Sequence, residues 1–217
     1  MRYEVDMIEN IMALLADEYD VDSTGLEFSA GYGIADVVGV KYEKLGKDHA
    51  LRPTKTLITD QRELDVFFNM PDGEVVSDSD LADKLGLSTA YTRKLLRTLE
   101  SKNCIQRQGL KFMRVLGTMV EAEVVVSVEA KLKKWRQALG QAKRYQYFSN
   151  IVFVALPQTT VRNIDRRLFR RENIGVIQVS EDHAEVLVRP QRIKPRSAVM
   201  HQYCCQSLFA ESVGIPK

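Results

Sequence analysis

The 217-residue chain lacks any apolar run approaching the roughly 18 residues that a membrane-spanning helix needs. That absence excludes a helical span, and no membrane partner is expected. Its first ten residues, MRYEVDMIEN, hold three acids and no basic-then-apolar pattern, so no secretory segment is read and a cytoplasmic location is expected. Cysteine is scarce: Cys104 stands alone and Cys204 adjoins Cys205, with no Cys-x-x-Cys pair. This argues against a disulfide framework or a structural zinc site and leaves reduced thiols as the expectation. Histidine is as scarce, and His49, His183 and His201 have no companion at ligand spacing, so none is given a catalytic role. Acid is depleted toward the C-terminus. Residues 131–217 carry six Asp/Glu against sixteen Lys/Arg, while residues 1–60 carry twelve against six. Such asymmetry suits an anionic partner for the C-terminal part, or a merely solvated basic surface.

What is present alternates in period. Residues 4–19 place Val5, Ile8, Met12, Leu15 and Tyr19 at helical spacing. Residues 26–29 and 34–43 read as strands, and a polar connector, KLGKDHALRPTKT, follows. From Leu57 to Val115 the texture changes. LITDQRELDVFFNM predicts a helix capped at Thr59, SDSDLADKLG one capped at Ser77, and STAYTRKLLRTLESKN one capped at Ser88. CIQRQGLKFMRV predicts a hairpin around Gln108-Gly109. Helix, helix, helix and hairpin is the order of a winged helix-turn-helix. After it come the strand EAEVVVSVEA, a long helix through Tyr145, the strand IVFVALP, a basic helix over residues 159–173, and two strands joined by Glu181-Asp182-His183. Strands alternating with helices predict an α/β core with parallel pairing. The module at 55–117 therefore reads as inserted between core segments 1–54 and 118–217.

Three features of the core coincide. Asp36 lies early in one strand, and Glu129-Ala130-Lys131 ends the next. Side chains two apart on a strand share a face, so Glu129 and Lys131 project together. Gln141 and Tyr145, four apart, share a face of the following helix. The pattern resembles the PD-(D/E)XK nuclease superfamily, which includes restriction endonucleases and Holliday-junction resolvases. Asp36, Glu129 and Lys131 match its acid and E-x-K positions, and Gln141 with Tyr145 resembles the QxxxY helix motif of its RecB-like branch. Glu9 is the best match to the first-helix acid, with Glu4 a weaker one. Ala35 stands where that family usually has proline, and the two halves of the motif lie farther apart than usual, a gap that an insertion explains.

The resemblance implies an α/β, restriction endonuclease-like mixed sheet flanked by helices, and a magnesium-dependent deoxyribonuclease, with manganese as a substitute. Asp36, Glu129 and the Ala130 carbonyl would hold the metal, because magnesium prefers hard oxygen ligands. Lys131 would orient water or stabilise the transition state, with Gln141, Tyr145 and Glu9 supporting. DNA is the expected partner. On the third helix of the insertion Thr89, Tyr91, Thr92, Arg93, Lys94 and Arg97 would face it, with Arg107 and Lys111 on the hairpin. By their charge, Arg166, Arg167, Arg170 and Arg171, two i,i+4 like-charge pairs, would meet phosphates or form a solvated surface with local acids such as Asp165 and Glu172. A homodimer is expected by analogy, since cutting two strands is simplest with two sites. Two rivals stand beside this reading: a nuclease-like core that binds DNA without cutting, as regulator or scaffold, and a winged helix used for protein assembly.

Overall fold

The computed structural model describes residues 4–29, 31, 33–43, 57–115 and 120–215. The connector 44–56 with His49, and the boundaries placed at 54/55 and 117/118, lie outside them. A 3-10 turn, Glu4–Met7, leads into α1 (Ile8–Tyr19), then β1 (Ser23–Ser29) and β2 (Ile34–Tyr42). There follow α2 (Gln61–Asn69), β3 (Val76–Ser77), α3 (Asp78–Leu85), α4 (Thr89–Ser101), β4 (Ile105–Gln108) and β5 (Lys111–Arg114). The chain continues as β6 (Ala122–Ala130), α5 (Trp135–Tyr145), β7 (Ile151–Pro157), α6 (Gln158–Val161), α7 (Arg166–Arg171), β8 (Gly175–Val179), β9 (Ala184–Val188) and α8 (Ala198–Ser212). No helix among the described residues is long and apolar enough to cross a membrane.

Two compact units result, Met1–Glu43 with Ala122–His201, and Lys44–Glu121 with Gln202–Lys217. The first is an α/β unit around a mixed six-stranded sheet of order β1-β2-β6-β7-β8-β9. Strands β6, β7 and β8 run parallel, and the outer pairings are antiparallel. β6 is apolar on both faces because both are covered. Val124, Val126, Val128 and Ala130 join Met7, Ile11 and Leu15 of the N-terminal helical segment in one core. The alternate residues, Val125, Ser127 and Glu129, are also buried, on the opposite face. α5 packs against β6 and β7 and buries Ala138, Ala142 and Tyr145.

Local chemistry decides where helices begin. Ser77 and Ser88 cap α3 and α4 as their sequence predicts, accepting from Asp80 N and Tyr91 N. At α2 the cap is Asp60, not Thr59: its Oδ1 accepts from Arg62 N at 2.8 Å and Glu63 N at 3.0 Å, and a carboxylate satisfies two orphan amides at once. The basic helix expected over 159–173 is two shorter ones. Asp165 breaks it by accepting from Arg167 N, which starts α7 afresh. In the second unit α2, α3 and α4 pack together beside a small antiparallel sheet of order β3-β5-β4. Leu64, Phe67, Leu81, Leu96, Leu99 and Phe112 are buried there, as is Glu63, which Lys102 pairs at 2.5 Å. The hairpin turn uses Gly109 at φ +64°. Cys104, Cys204 and Cys205 are buried.

One glycine is required by packing. A Cβ on Gly175 would stand 2.2 Å from Phe153 Cδ1, its partner on β7, and 2.8 Å from Pro190 Cδ. Gly175→Ala should therefore cost about 1–3 kcal/mol of stability through overpacking, read as a lower urea midpoint. An unchanged midpoint would show that the β7–β8 contact is looser than described.

Candidate active site

The β2–β6 ladder registers Val37 against Val128, which brings Asp36 and Glu129 side by side at the next position. Strand alternation then turns both toward the face that α5 covers. Asp36 is fixed by the backbone of the neighbouring strand, its Oδ2 accepting from Ala130 N at 2.7 Å. Lys131 emerges just past the end of β6. Its backbone N–H still joins the sheet by donating to Ala155 O at 3.0 Å, and its ammonium turns back over the strand end.

That ammonium is the centre of the cluster. Nζ lies 3.1 Å from Glu129 Oε1, 3.2 Å from Glu4 Oε2, 4.0 Å from Asp36 Oδ2 and 3.0 Å from Ala130 O. The acid contributed from the N-terminal helical segment is thus Glu4, in the 3-10 turn, while Glu9 is exposed on α1. Glu4 also accepts from Leu132 N through Oε1 at 3.4 Å, and Thr160 Oγ1 donates to Leu132 O. The segment after Lys131 is therefore tied on both sides.

Glu129 is 1% exposed and held by Tyr145. The Tyr145 hydroxyl reaches Glu129 Oε2 and, at 2.5 Å, Ile34 O. One hydroxyl proton cannot serve both acceptors. With Glu129 ionised, the proton goes to the carboxylate. With Glu129 protonated, the carboxyl donates to Tyr145, and Tyr145 donates to Ile34 O. The other oxygen, Glu129 Oε1, has the Lys131 ion pair but no well-angled hydrogen bond. Gln141, one turn before Tyr145, has a buried Oε1 without a partner among the described residues.

Burial pushes the Glu129 carboxyl up, against the opposing hydrogen bond from Tyr145, and Asp36 beside it pushes the same way. Burial likewise raises Asp36, against the Ala130 amide. Burial alone would lower the Lys131 ammonium, but the facing carboxylates, Glu129 foremost, outweigh it and hold it above its ordinary value. The Tyr145 hydroxyl is driven well above its usual range, first by burial and then by Glu129, so it stays a donor.

A cavity of about 390 Å³ opens beside the cluster, lined by Glu4, Asp36 and Ala130 and by Val5, Ile8, Leu26 and Glu27. Glu27 has a left-handed backbone, φ +49°, inside β1. Its part in this wall was not legible in sequence, because β-period alternation does not announce such an irregularity. As for metal, no three His, Cys, Asp or Glu side chains among the described residues converge as a metal cluster. The oxygens around Lys131 nonetheless suit a hard cation in kind: carboxylates and one carbonyl, with water free to complete the shell. Three carboxylates face one ammonium, so the cluster keeps negative charge whenever its acids are ionised.

The residues that the sequence offers to nucleic acid lie on other elements. Thr89, Tyr91, Lys94 and Arg97 are exposed on α4, whereas Thr92 is fully buried and turned inward. Arg93 is held by Asp78 at 2.7 Å and Arg107 by Glu100 at 3.0 Å, and Lys111 is exposed. Arg166, Arg167, Arg170 and Arg171 are all exposed around α7. No family model, curated protein or solved structure matches this chain.

The raised carboxyls fix the sign of a stability test. Glu129 binds its proton more tightly folded than unfolded, so its ionisation destabilises the fold as pH rises through its folded pKa, and the penalty vanishes as pH falls through the ordinary carboxylate range. Glu129→Gln should melt above wild type at neutral pH without divalent ions, with the difference closing in acid. A melting temperature equal to or below that of wild type at neutral pH would mean that Lys131 and Tyr145 fully offset the burial of the charge.

Proposed function

We propose that the protein is a magnesium-dependent DNA endonuclease of PD-(D/E)XK type. The supporting observation is the placement of Lys131: one ammonium nitrogen within 4.0 Å of oxygens from Glu129, Asp36 and Glu4 and from the Ala130 carbonyl. These are oxygens that a hard divalent ion takes as ligands, and the amine beside them can act on a phosphate.

Asp36, Glu129 and the Ala130 carbonyl would hold magnesium, with Glu4 near enough to add a carboxylate or a water-mediated contact. When bound, that ion offsets phosphoryl charge and lowers the pKa of a water. The chain's own side chains have separate tasks. Lys131, kept protonated by its acids, donates to a phosphoryl oxygen and orients the attacking water. Tyr145 holds Glu129 in one rotamer and favours its charged form. Gln141 offers its free Oε1 to the water or to substrate. As the water attacks phosphorus the ester P–O bond breaks; the water gives up one proton to solvent and the departing oxygen takes one up from solvent, so the step balances as hydrolysis.

The unit α2-β3-α3-α4-β4-β5 serves, in this reading, as a winged helix that targets DNA. The first turns of α4 present Thr89, Tyr91, Lys94 and Arg97 to bases and phosphates, and Lys111 on the β4–β5 hairpin grips the backbone. Arg93 and Arg107 contribute only after leaving Asp78 and Glu100. Two copies of the chain would place one site on each strand of a duplex. The rival reading, binding without cleavage, is favoured by the same ammonium, which already neutralises part of the acidic charge and must move before an ion enters.

Incubation of the purified protein with supercoiled plasmid and magnesium decides between them. Wild type should nick or linearise the DNA. Asp36→Ala and Lys131→Ala should each reduce the rate about 100-fold or more, and Tyr145→Phe about 10–100-fold. A retained gel shift with no cleavage in magnesium or manganese would establish the non-cutting alternative. Cleavage indifferent to all three substitutions would place the chemistry elsewhere.

A further inference from the structure

A second cavity, of about 450 Å³, lies between the end of α7 and the end of β9. Strand direction places it away from the acidic cluster. Lys131 follows the C-terminal end of β6, and β8 runs parallel through β7. Asn173 and Ile174 precede β8, and Arg189 to Gln191 follow β9, which runs back along β8. The cavity is thus at the opposite end of the sheet.

Its chemistry is cationic. Arg170, Arg171 and Arg189 supply three guanidiniums. Arg171 is paired with Glu172 at 3.2 Å and Arg189 with Glu18 at 2.7 Å. Arg170 has no side-chain partner among the described residues, so its charge is unbalanced. The wall is preformed. Asn173, in a left-handed conformation at φ +53°, donates through Nδ2 to Gln191 O at 2.9 Å and accepts from Gln191 N at 2.7 Å. Gly175 lets Pro190 close against the same end of the sheet. A rigid cavity with surplus guanidinium charge suits an anion with several oxygens, because the planar fork matches phosphate.

We propose that this cavity is a phosphate-binding site separate from the acidic cluster, taking the phosphate of a nucleic-acid strand or of a free nucleotide. It shares no residue with the cluster and does not depend on cleavage. The test uses the full chain in EDTA at constant ionic strength, with calorimetry against inorganic phosphate, a deoxynucleoside monophosphate, and a short oligonucleotide with and without a 5′-phosphate. Wild type should bind a phosphate-bearing probe saturably. Arg170→Ala, at an exposed position, should weaken binding about tenfold with an unchanged melting temperature in phosphate-free buffer, and Arg170→Glu should abolish it. Asp36→Ala should bind as wild type does, which separates this site from the nuclease reading. Tight binding of the oligonucleotide alone identifies a strand phosphate, whereas comparable binding of the monophosphate identifies a free one. No saturable binding by any probe, or equal affinity in wild type and Arg170→Ala, overturns the proposal.

Discussion

The Lys131 ammonium, held among Glu129, Glu4, Asp36 and the Ala130 carbonyl, is the interaction on which the proposed chemistry of the α/β unit depends. Charges removed from water are costly unless they are paired. Here the burden falls unevenly. Glu129 is buried and pushed toward its protonated form, while Lys131 is kept charged by the same neighbours. A cluster with more acid than base is a poor way to stabilise a fold and a reasonable way to receive a cation. That imbalance is the physical argument for the proposed cation site.

The sheet is what makes the cluster possible. Asp36 and Ala130 are 94 positions apart in sequence, yet they meet through a 2.7 Å hydrogen bond because β2 and β6 are neighbours. Most of the long excursion between them belongs, with Gln202–Lys217, to the second compact unit, and β2 and β6 keep one register from Val37 to Lys41 before a shift at Lys41/Tyr42. Tyr145 then ties the helical layer to the strand end, spanning Glu129 on β6 and the Ile34 carbonyl on β2. The hydroxyl thus fastens to the two strands that carry the acids.

Much of this was legible in the sequence, for identifiable reasons. A valine run ending in Glu-x-Lys reports a buried strand with two charges on one face, and Ser77 and Ser88 announce helix starts by hydrogen-bonding capacity alone. Other features were not legible. The resemblance made Glu9 the better match and Glu4 the weaker one, and it is Glu4, in a 3-10 turn ahead of α1, that reaches Lys131. Thr92 looked like part of an exposed recognition face, although helix packing turns it inward. The four arginines of α7 were visible as a run. The junction of Arg170 and Arg171 with Arg189 was not, because it depends on β9 returning alongside β8. Local composition says which groups exist, and only topology says which of them meet.

Manganese binding, followed by electron paramagnetic resonance on the free protein, tests the central claim most directly. The account predicts a saturable site in wild type that is lost in Asp36→Ala and in Glu129→Ala, and that survives, or tightens, in Lys131→Met, where the competing ammonium is gone. A wild-type protein that binds no manganese, or binding untouched by loss of either carboxylate, would contradict it.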